Sequence, residues 1–343
     1  MPTRPAADTS SRPSQAKRIT IRDVAREAGV SVTTVSTALS GNGRLAADTR
    51  ERVSAAAQRL GYVASPSARF LRSARTGSIG LCLPDQVLSL EYYMQLAFGA
   101  AAEAMAHDLA LTLVPPNAST AQLAGMPVEG MIVVDPLIDD PILTRLRPSG
   151  LPVVTCEVDP SGRQHAGSVA GDNTAGVRRM LDHLTAQGAV TIAVIAPPET
   201  TSWSIESLAA YRGFCSEHGI PVRLATVGFV STPESERAAV EQILAGGPVD
   251  AILSLPDGGA AAALQVAGAH GLRVPQDIMI ASGVDSAVMA LSTPQITALE
   301  LNPREMGGRA TSMLARLLSG HSAGESELVP VELVPRASTA RRA

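Results

Sequence analysis

From Ser78 onward, short continuously apolar segments alternate with amphipathic helical segments, and this alternation restricts the possible folds more than any other feature. The predicted strands are SIGLCLP, LALTLVP, EGMIVVD, LPVVTCE, VTIAVIA, DAILSLP and DIMIASG. The predicted helices between them include residues 92–107, 173–187, 208–218 and 234–244. Apolar strands that alternate with helices are typical of a parallel sheet covered on both faces. Because roughly 260 residues are too many for one sheet, we expect two doubly wound α/β lobes, with ligands outside the carboxyl ends of the strands.

The first 64 residues contain short helical segments and no predicted strand. Residues 1–18 are rich in Pro, Ser, Thr and Ala, and we interpret them as a disordered tail. Thr20 and Asp23 predict a capping-box start, Gly29 predicts the end of that helix, and Ser31 predicts the start of a second. A third helix is expected over 48–60. The apolar side chains at helical spacing are Ile21, Val24, Ala25, Ala28, Val32, Val35, Leu39, Val53, Ala56, Ala57 and Leu60. Three short helices with a tight turn between the first two predict a helix-turn-helix domain.

Charge is distributed unevenly between these two parts of the chain. Residues 1–75 hold 13 of the 28 Arg and Lys residues but only 5 of the 32 Asp and Glu residues. Their net charge is therefore +8, and that of the remaining residues is −12. A basic domain attached to an acidic body is typical of proteins that bind the DNA backbone with one end. A merely solvated basic surface is the alternative interpretation.

The motifs do not favour an enzyme or an exported protein. The sequence has no GxSxG, GxxxxGK[ST], HExxH or GxGxxG motif, and its six histidines are scattered, so we expect no catalysis, cofactor or metal. Cys82, Cys156 and Cys215 are far apart among apolar neighbours, which predicts buried free thiols. Because the first residues lack an apolar signal region and no long apolar run follows, we expect a cytoplasmic protein.

Ten segments of the sequence occur in a characteristic order. The first three are TIRDVAREAGVSVTTVSTALSG, TRERVSAAAQRLGY and ARFLRSARTGSIGL. They are followed by VEGMIVV, LPVVTCEVD, GDNTAGVRRMLDHLTAQG, AYRGF, LRVPQDIMIASGVDS, TPQITAL and LVPVELVPRAST. Together they closely resemble the LacI/GalR family of bacterial repressors over residues 19–340. The resemblance implies a sensor domain shaped like periplasmic sugar-binding proteins, a homodimer on a pseudo-palindromic DNA operator, and a small-molecule effector.

The resemblance and the sequence pattern together predict the domain limits. We expect a helix-turn-helix domain at 19–64, a hinge helix and linker at 65–76, and an effector-binding and dimerisation domain at 77–340. Lobe 1 is expected to comprise about 77–170 and 302–328, and lobe 2 about 171–301 and 329–340. A free sugar-binding module, the main alternative, explains the lobes but not the basic N-terminal domain. We therefore favour a DNA-binding transcriptional repressor.

The resemblance places the second helix of the N-terminal domain in the major groove of DNA. It implies that Val32, Thr33 and Thr37 face base edges, where Thr offers a hydroxyl and Val an apolar contact for a thymine methyl. Many family members have Arg at the position of Thr37, so a bidentate guanine contact is missing here. The side chains suited to phosphate contacts are Ser31, Thr34, Ser36, Asn42 and Arg44. Alternatively, these residues form only a solvated helix face.

The predicted hinge also has features suited to DNA. Ser65 can cap a short helix and Pro66 can begin it, but so short a helix is marginal alone and should form only on DNA. Leu71 matches the family's leucine that wedges between base pairs in the minor groove, and Ala68 and Arg69 would face the groove with it. Alternatively, Leu71 is a linker residue packed against its own domain.

The resemblance places the effector between the lobes. The matching positions are Asp85, Tyr92 and Tyr93 on lobe 1, and Asp172, Ser207, Pro256, Asp257, Val284 and Asp285 on lobe 2. Trp203, expected in a loop near the cleft, fits stacking on a ligand and simple packing equally well. Because Ser207, Pro256 and Val284 replace the family's Arg, Asn and Asp, three partners for sugar hydroxyls are missing. We therefore expect weak or no binding of simple monosaccharides, and either an effector that is larger or less hydroxylated or no effector at all.

Overall fold

The structure is a computed structural model, and it describes residues 19–40, 45–62, 75–84, 90–229 and 231–340. The chain separates into two compact units, Met1–Arg75 and Thr76–Ala343. Within the described residues, no helix combines the length and the apolar character that crossing a membrane requires.

The described residues of the first unit form three helices around a small core. These are α1 (Ile21–Ala28), α2 (Val32–Ser40) and α3 (Ala47–Arg59). Helix α1 begins with the predicted capping box of Thr20 and Asp23 and ends at Gly29, whose φ of 64° is left-handed. Its core consists of Val24, Ala25, Val35, Ala38, Val53, Ala56 and Ala57. The predicted helix-turn-helix is therefore confirmed, with one difference: Val32 is 41% exposed and lies outside this core.

Lobe 1 of the second unit is a six-stranded parallel sheet with helices on both faces. Its strands are β1 (Ser78–Cys82), β2 (Ala110–Val114), β3 (Met131–Val134), β4 (Val153–Cys156), β5 (Gly167–Gly171) and β11 (Glu325–Val329). They lie in the order β11-β5-β4-β3-β1-β2. Its helices are α4 (Leu90–Ala106), α5 (Thr120–Gly125), α6 (Pro141–Leu146) and α12 (Pro303–Leu318).

Lobe 2 repeats this plan. Its strands are β6 (Ile192–Ala196), β7 (Arg223–Thr226), β8 (Ala251–Ser254), β9 (Met279–Ser282), β10 (Thr297–Glu300) and β12 (Glu332–Val334), in the order β12-β10-β9-β8-β6-β7. Only β12 runs antiparallel to its neighbour. Its helices are α7 (Asn173–Ala186), α8 (Ser202–His218), α9 (Pro233–Ala245), α10 (Gly259–Ala269) and α11 (Ala287–Leu291). The predicted fold class, two doubly wound lobes, is confirmed.

The chain crosses between the lobes three times, after β5, after β10 and after β11. In each sheet the chain adds strands first on one side of the first strand and then on the other, so β1 and β6 each lie beside a topological switch point. At such a point the connections after neighbouring strands diverge and leave a crevice at the carboxyl ends of the strands. The two crevices face each other, because one cavity is lined by residues that follow strands of both lobes.

Helices α4 and α12 pack together very closely on lobe 1. A Cβ atom added at Gly99 would lie 1.9 Å from the carbonyl oxygen of Arg304, and one at Gly307 would lie 2.1 Å from that of Leu96. Both positions therefore require glycine, because the two helix backbones touch there. This contact joins the start of lobe 1 to the segment that returns to it after lobe 2.

Candidate functional site

Helix α2 presents one buried face and one accessible face. Ser31 caps the helix: its Oγ accepts a hydrogen bond from the backbone N–H of Thr34 at 3.1 Å. Val35 and Ala38 are buried in the core of the first unit, whereas Val32 and Thr33 are exposed at the first turn. The helix is therefore held by one side and leaves its N-terminal turn open to a partner.

The two threonines proposed to read bases are coupled through the backbone. The Thr37 hydroxyl donates to the carbonyl oxygen of Thr33 at 3.0 Å, which fixes the Thr37 side chain along the helix. Its methyl group and the lone pairs of its oxygen are what it offers to a base edge. Of the other predicted DNA-contacting residues, Asn42, Arg44, Ala68, Arg69 and Leu71 lie outside the described residues.

A cavity of about 390 Å³ lies between the two lobes, and we call it the interlobe cavity. Its volume is within the range of small-molecule sites. Lobe 1 and its helix α4 contribute Tyr92, Tyr93, Asp135 and Glu157. The residues contributed by the rest of the unit are Pro197, Trp203, Phe229, Ser231, Pro233, Glu236, Pro256, Asp257, Gly258, Val284, Val288 and Leu301.

Asp135 follows β3 and is 9% exposed. Its φ of 47° is left-handed, a conformation uncommon outside glycine and frequent at functional sites. The Tyr93 hydroxyl donates to its Oδ2 at 2.8 Å. Burial raises the pKa of Asp135 to about 6, although the Tyr93 hydrogen bond opposes this. The backbone thus holds a carboxyl group in a position where ionisation is costly.

Glu157 follows β4, also with a left-handed φ of 70°. Its carboxylate accepts hydrogen bonds from the backbone N–H of Gly171 at 3.0 Å, from Asn173 at 3.1 Å and from Ser202 at 3.4 Å. Burial, and after it the charge of Asp135, raises the pKa of Glu157 to about 8. Because Asn173 and Ser202 belong to lobe 2, this carboxyl group links the two lobes at one of the crossovers.

Four aromatic residues contribute to the walls of the interlobe cavity. Tyr92 and Tyr93 pack edge to face with ring centroids 5.1 Å apart, and Tyr92 packs against the cores of both lobes. Trp203 lies in the first turn of α8, which begins at Ser202, and not in the predicted loop. It packs against the core of lobe 2 and also lines the cavity, so packing and ligand contact are compatible. Phe229 completes the aromatic surface.

Lobe 2 supplies two further carboxyl groups. Glu236 lies on α9, is 6% exposed and accepts a hydrogen bond from the Ser231 hydroxyl. Burial raises the pKa of Glu236, and the nearby Asp257 raises it further, against the effect of the Ser231 hydrogen bond. Asp257 follows β8 between Pro256 and Gly258.

Known proteins resemble this chain over almost its whole length. The family model for bacterial regulatory proteins of the lacI family matches residues 20–65, and that for a periplasmic binding protein-like domain matches residues 181–339. The transcriptional regulator CelR of Thermobifida fusca is 30% identical over 335 residues, which are 93% of this chain and 96% of CelR. The lactose operon repressor of Escherichia coli K12 is 26% identical over 94% of this chain and 91% of its own. This chain belongs to the LacI family.

Solved structures agree with this assignment. A CelR–cellobiose complex matches with a TM-score of 0.71 at 27% identity, covering 94% of this chain and all of that one. A lac repressor dimer bound to operator and the anti-inducer ONPF matches with a TM-score of 0.79 at 25% identity, covering 95% of this chain and all of that one. The present LacI-family member is therefore a DNA-binding transcriptional regulator, and its relatives are named as regulators, not as enzymes.

Six of the residues predicted for the effector site of this LacI-family regulator lie at the interlobe cavity. Tyr92, Tyr93, Trp203 and Asp257 line it together with two of the replacement residues, Pro256 and Val284. Asp85 lies outside the described residues. For the six residues that line the cavity, contact with an effector stays a prediction.

Three other predicted residues are placed away from the cavity lining. Asp172 caps α7 by accepting a hydrogen bond from the N–H of Ala175 at 3.3 Å. Ser207 is fully buried, and its hydroxyl has no described hydrogen-bond partner. Asp285 forms a two-bond ion pair with Arg336, at 2.7 and 2.6 Å. None of these three residues is among those that line the cavity, and their role as effector contacts stays a prediction.

The prediction from sequence missed Asp135, Glu157, Phe229 and Glu236. A signal for the first two was present, because they are the last residues of the predicted strands EGMIVVD and LPVVTCE. Ligand-contacting residues of doubly wound sheets lie at those carboxyl ends. No comparable pattern marks Phe229 or Glu236, which reach the cavity from a loop and from a helix face.

Proposed function

We propose that this LacI-family regulator is a repressor that binds a pseudo-palindromic operator as a homodimer, and that a small effector in the interlobe cavity modulates this binding. The observation that supports it most directly is the accessible first turn of α2, held by a buried opposite face within a basic N-terminal segment. A lac repressor dimer bound to operator is among the structural relatives.

In this proposal the first turns of α2 read the operator. Val32 and Thr33 contact base edges, and Thr37 contacts them one turn later. Ser31, Thr34 and Ser36, together with Asn42 and Arg44, contact phosphates and so position the helix without specifying sequence. This set contains no Arg that could bind a guanine. We therefore expect an operator half-site whose base edges offer thymine methyl groups and acceptors for the threonine hydroxyls.

The hinge supplies a second contact with the operator. Leu71 wedges into the minor groove, with Ala68 and Arg69 beside it. Leu71→Ala should therefore lose specific affinity while weak, salt-sensitive nonspecific binding persists. Equal operator affinity and equal bending of DNA by the wild type and the variant would contradict this role.

The dimer surface is proposed on helix α4. Met94, Phe98 and Met105 lie on one side of this helix, because their spacing of four and seven residues returns to the same direction. All three are exposed, and Phe98 is exposed by 53%. Contiguous exposed apolar side chains mark interaction sites on soluble proteins. We call this surface the α4 face.

The α4 face continues onto lobe 2. The N–H of Ala287, at the start of α11, donates to the Glu91 carboxylate on α4 at 3.0 Å. Helix α11 carries Val288 and Leu291, and Leu291 is 82% exposed. A partner that covers the α4 face and α11 would contact both lobes. Dimerisation on this surface would therefore depend on the angle between the lobes, which is how an effector between them can alter DNA binding.

Two measurements on the full-length protein test this proposal. Selection of bound fragments from random DNA should return a pseudo-palindrome, and sedimentation should show a dimer on that DNA. Phe98→Glu should weaken dimerisation and operator binding by at least about tenfold, because a charge would be buried in the interface.

Val190→Glu is the matched control, since Val190 is 70% exposed in the turn before β6 and is not on the α4 face. It should leave both properties unchanged. A Phe98→Glu protein that sediments as the wild type does would show that the α4 face is not the interface, and selected DNA without symmetry would contradict dimeric operator binding.

A further inference from the structure

The interlobe cavity has an unusual balance of charge. Sixteen of the described residues line it; four of them are carboxylic acids, and none is Arg, Lys, His, Asn or Gln. Two of the acids, Asp135 and Glu157, come from lobe 1, and the other two, Glu236 and Asp257, come from lobe 2. A ligand in this cavity therefore meets acidic groups from both lobes.

Two of these acids each have an oxygen atom without a partner. Asp135 accepts from Tyr93 through Oδ2, and Glu236 accepts from Ser231 through Oε1. Among the described residues, nothing donates to Asp135 Oδ1 or to Glu236 Oε2, and neither group forms an ion pair. Both side chains are more than nine-tenths buried and line the cavity. Because both acids line the cavity and the described residues pair neither of them with a cation, a cationic group bound there can pair with them.

The aromatic walls favour the same kind of ligand. Tyr92, Tyr93, Trp203 and Phe229 line the cavity around the acids. The faces of such rings attract ammonium and guanidinium groups, most strongly where water is excluded. An aromatic enclosure with carboxylates and without a competing cation is the combination that recognises organic cations.

An inorganic cation fits less well. The described residues contain no group of three or more His, Cys, Asp or Glu side chains placed to hold a metal ion. The acids of the cavity are therefore too widely distributed to converge on one ion. A larger molecule can reach several of them and also cover the aromatic rings.

We propose that the effector of the interlobe cavity is an organic cation that places protonated amine or guanidinium groups beside Asp135 and Glu236. This inference rests on the proposed function, because it assumes that the cavity is the effector site. A cation bound to Asp135 of lobe 1 and to Glu236 of lobe 2 joins the lobes electrostatically. It thereby favours one interlobe angle over others.

Matched pairs of ligands test the charge directly. Calorimetry of the full-length protein near pH 7.5 would compare the β-1,4-linked disaccharide of glucosamine with cellobiose, 1,4-diaminobutane with 1,4-butanediol, and tyramine with its alcohol analogue tyrosol. Members of a pair have similar size, and only one carries a protonated amine. We expect at least one amine to bind at least about tenfold more tightly than its neutral counterpart. A neutral member that binds as tightly, or no amine that binds at millimolar concentration, would overturn the proposal.

Two conservative variants locate the contact. Asp135→Asn and Glu236→Gln remove the charge but keep an oxygen that can accept from Tyr93 or Ser231. Each should reduce the affinity for the bound amine by about tenfold and leave the affinity for its neutral counterpart unchanged. Asp182→Asn and Glu332→Gln are the controls, since both residues are exposed and outside the cavity lining. They should leave both affinities unchanged. Equal loss for the amine and its neutral counterpart would indicate damage to the cavity and would count against pairing.

Operator binding by the same preparations separates this inference from the proposed function. Protein that binds its selected DNA as a dimer but prefers no amine would refute only the cationic effector. Amine binding in the interlobe cavity that leaves operator affinity unchanged would instead refute the regulatory role of the site.

Discussion

Two carboxylate regions of the second unit differ in whether the chain supplies a cation. Asp285 forms two hydrogen bonds with Arg336, and both side chains are less than 15% exposed. Asp135 and Glu236 are buried to a similar degree but have only hydroxyl partners among the described residues. The first arrangement is complete within the chain and fixes the segment after β12 to the end of β9. In the second arrangement the described residues provide no cation for Asp135 and Glu236, so a cationic ligand can pair with them.

Removing Arg336, the cation of the Asp285–Arg336 pair, should have the largest effect on stability. Arg336→Ala leaves Asp285 without its partner and removes the hydrogen bond to the Ile296 carbonyl. It should lower the free energy of unfolding by about 3 kcal/mol, because a largely buried charge is left uncompensated. Denaturation by urea would measure it. Arg309→Ala, which breaks the exposed pair with Glu305, should cost less than about 1 kcal/mol. Equal losses in the two variants would remove the distinction between the regions.

A substitution at Asp135, in the interlobe cavity, should have a smaller effect on the free energy of unfolding, and one of opposite sign. The pKa of Asp135 is raised by burial from 3.8 to about 6, so the folded state favours the protonated form. That contribution to stability is present below about pH 4 and is lost as the pH rises through 6. Asp135→Asn stays neutral, and should therefore exceed the wild type in stability by roughly 1–3 kcal/mol at pH 7.5 and match it at pH 4.

Melting temperatures of the ligand-free protein at these two pH values would measure this difference. The titratable groups that interact with Asp135 are Tyr93, Tyr92, Glu157 and Cys156. Because the pKa of Glu157 is raised to about 8, Glu157 is itself largely protonated at neutral pH. A stability gain that is the same at both pH values would mean that Asp135 does not ionise as described.

The smallest effect concerns neutral sugars. The family resemblance implies that Ser207 and Val284 stand in place of an Arg and an Asp, and the described residues of the cavity lining include no amide or basic side chain that could act instead. Each buried hydroxyl left without a partner costs on the order of 1–3 kcal/mol. Calorimetry with a panel of hexoses and pentoses should therefore show weak binding or none. Micromolar affinity for any of these monosaccharides would contradict this expectation and weaken the contrast between the two regions.

Much of the fold could be predicted because it depends on local patterns. Seven of the twelve strands correspond to continuous apolar segments, and the capping box at Thr20 appears where the spacing predicts it. The five missed strands lack that signal. They are β5 (GSVAG), β7 (RLAT), β10 (TALE), β11 (ESELV, with mostly accessible side chains) and β12 (ELV). Helix α8 begins at Ser202, six residues before the predicted start at Leu208, because Thr201 and Ser204 form a capping box there.

The sequence by itself determined that a basic helix-turn-helix precedes two parallel-sheet lobes, because helix caps, apolar periodicity and charge are properties of neighbouring residues. It also placed Asp135 and Glu157 at the carboxyl ends of predicted strands. Only the tertiary structure decided which carboxylates were available to a ligand. Asp285 is paired with Arg336, 51 residues away in the chain, whereas Asp135 and Glu236 meet at a cavity between the lobes. Ion pairing depends on which side chains folding brings together, and local sequence does not specify that distance.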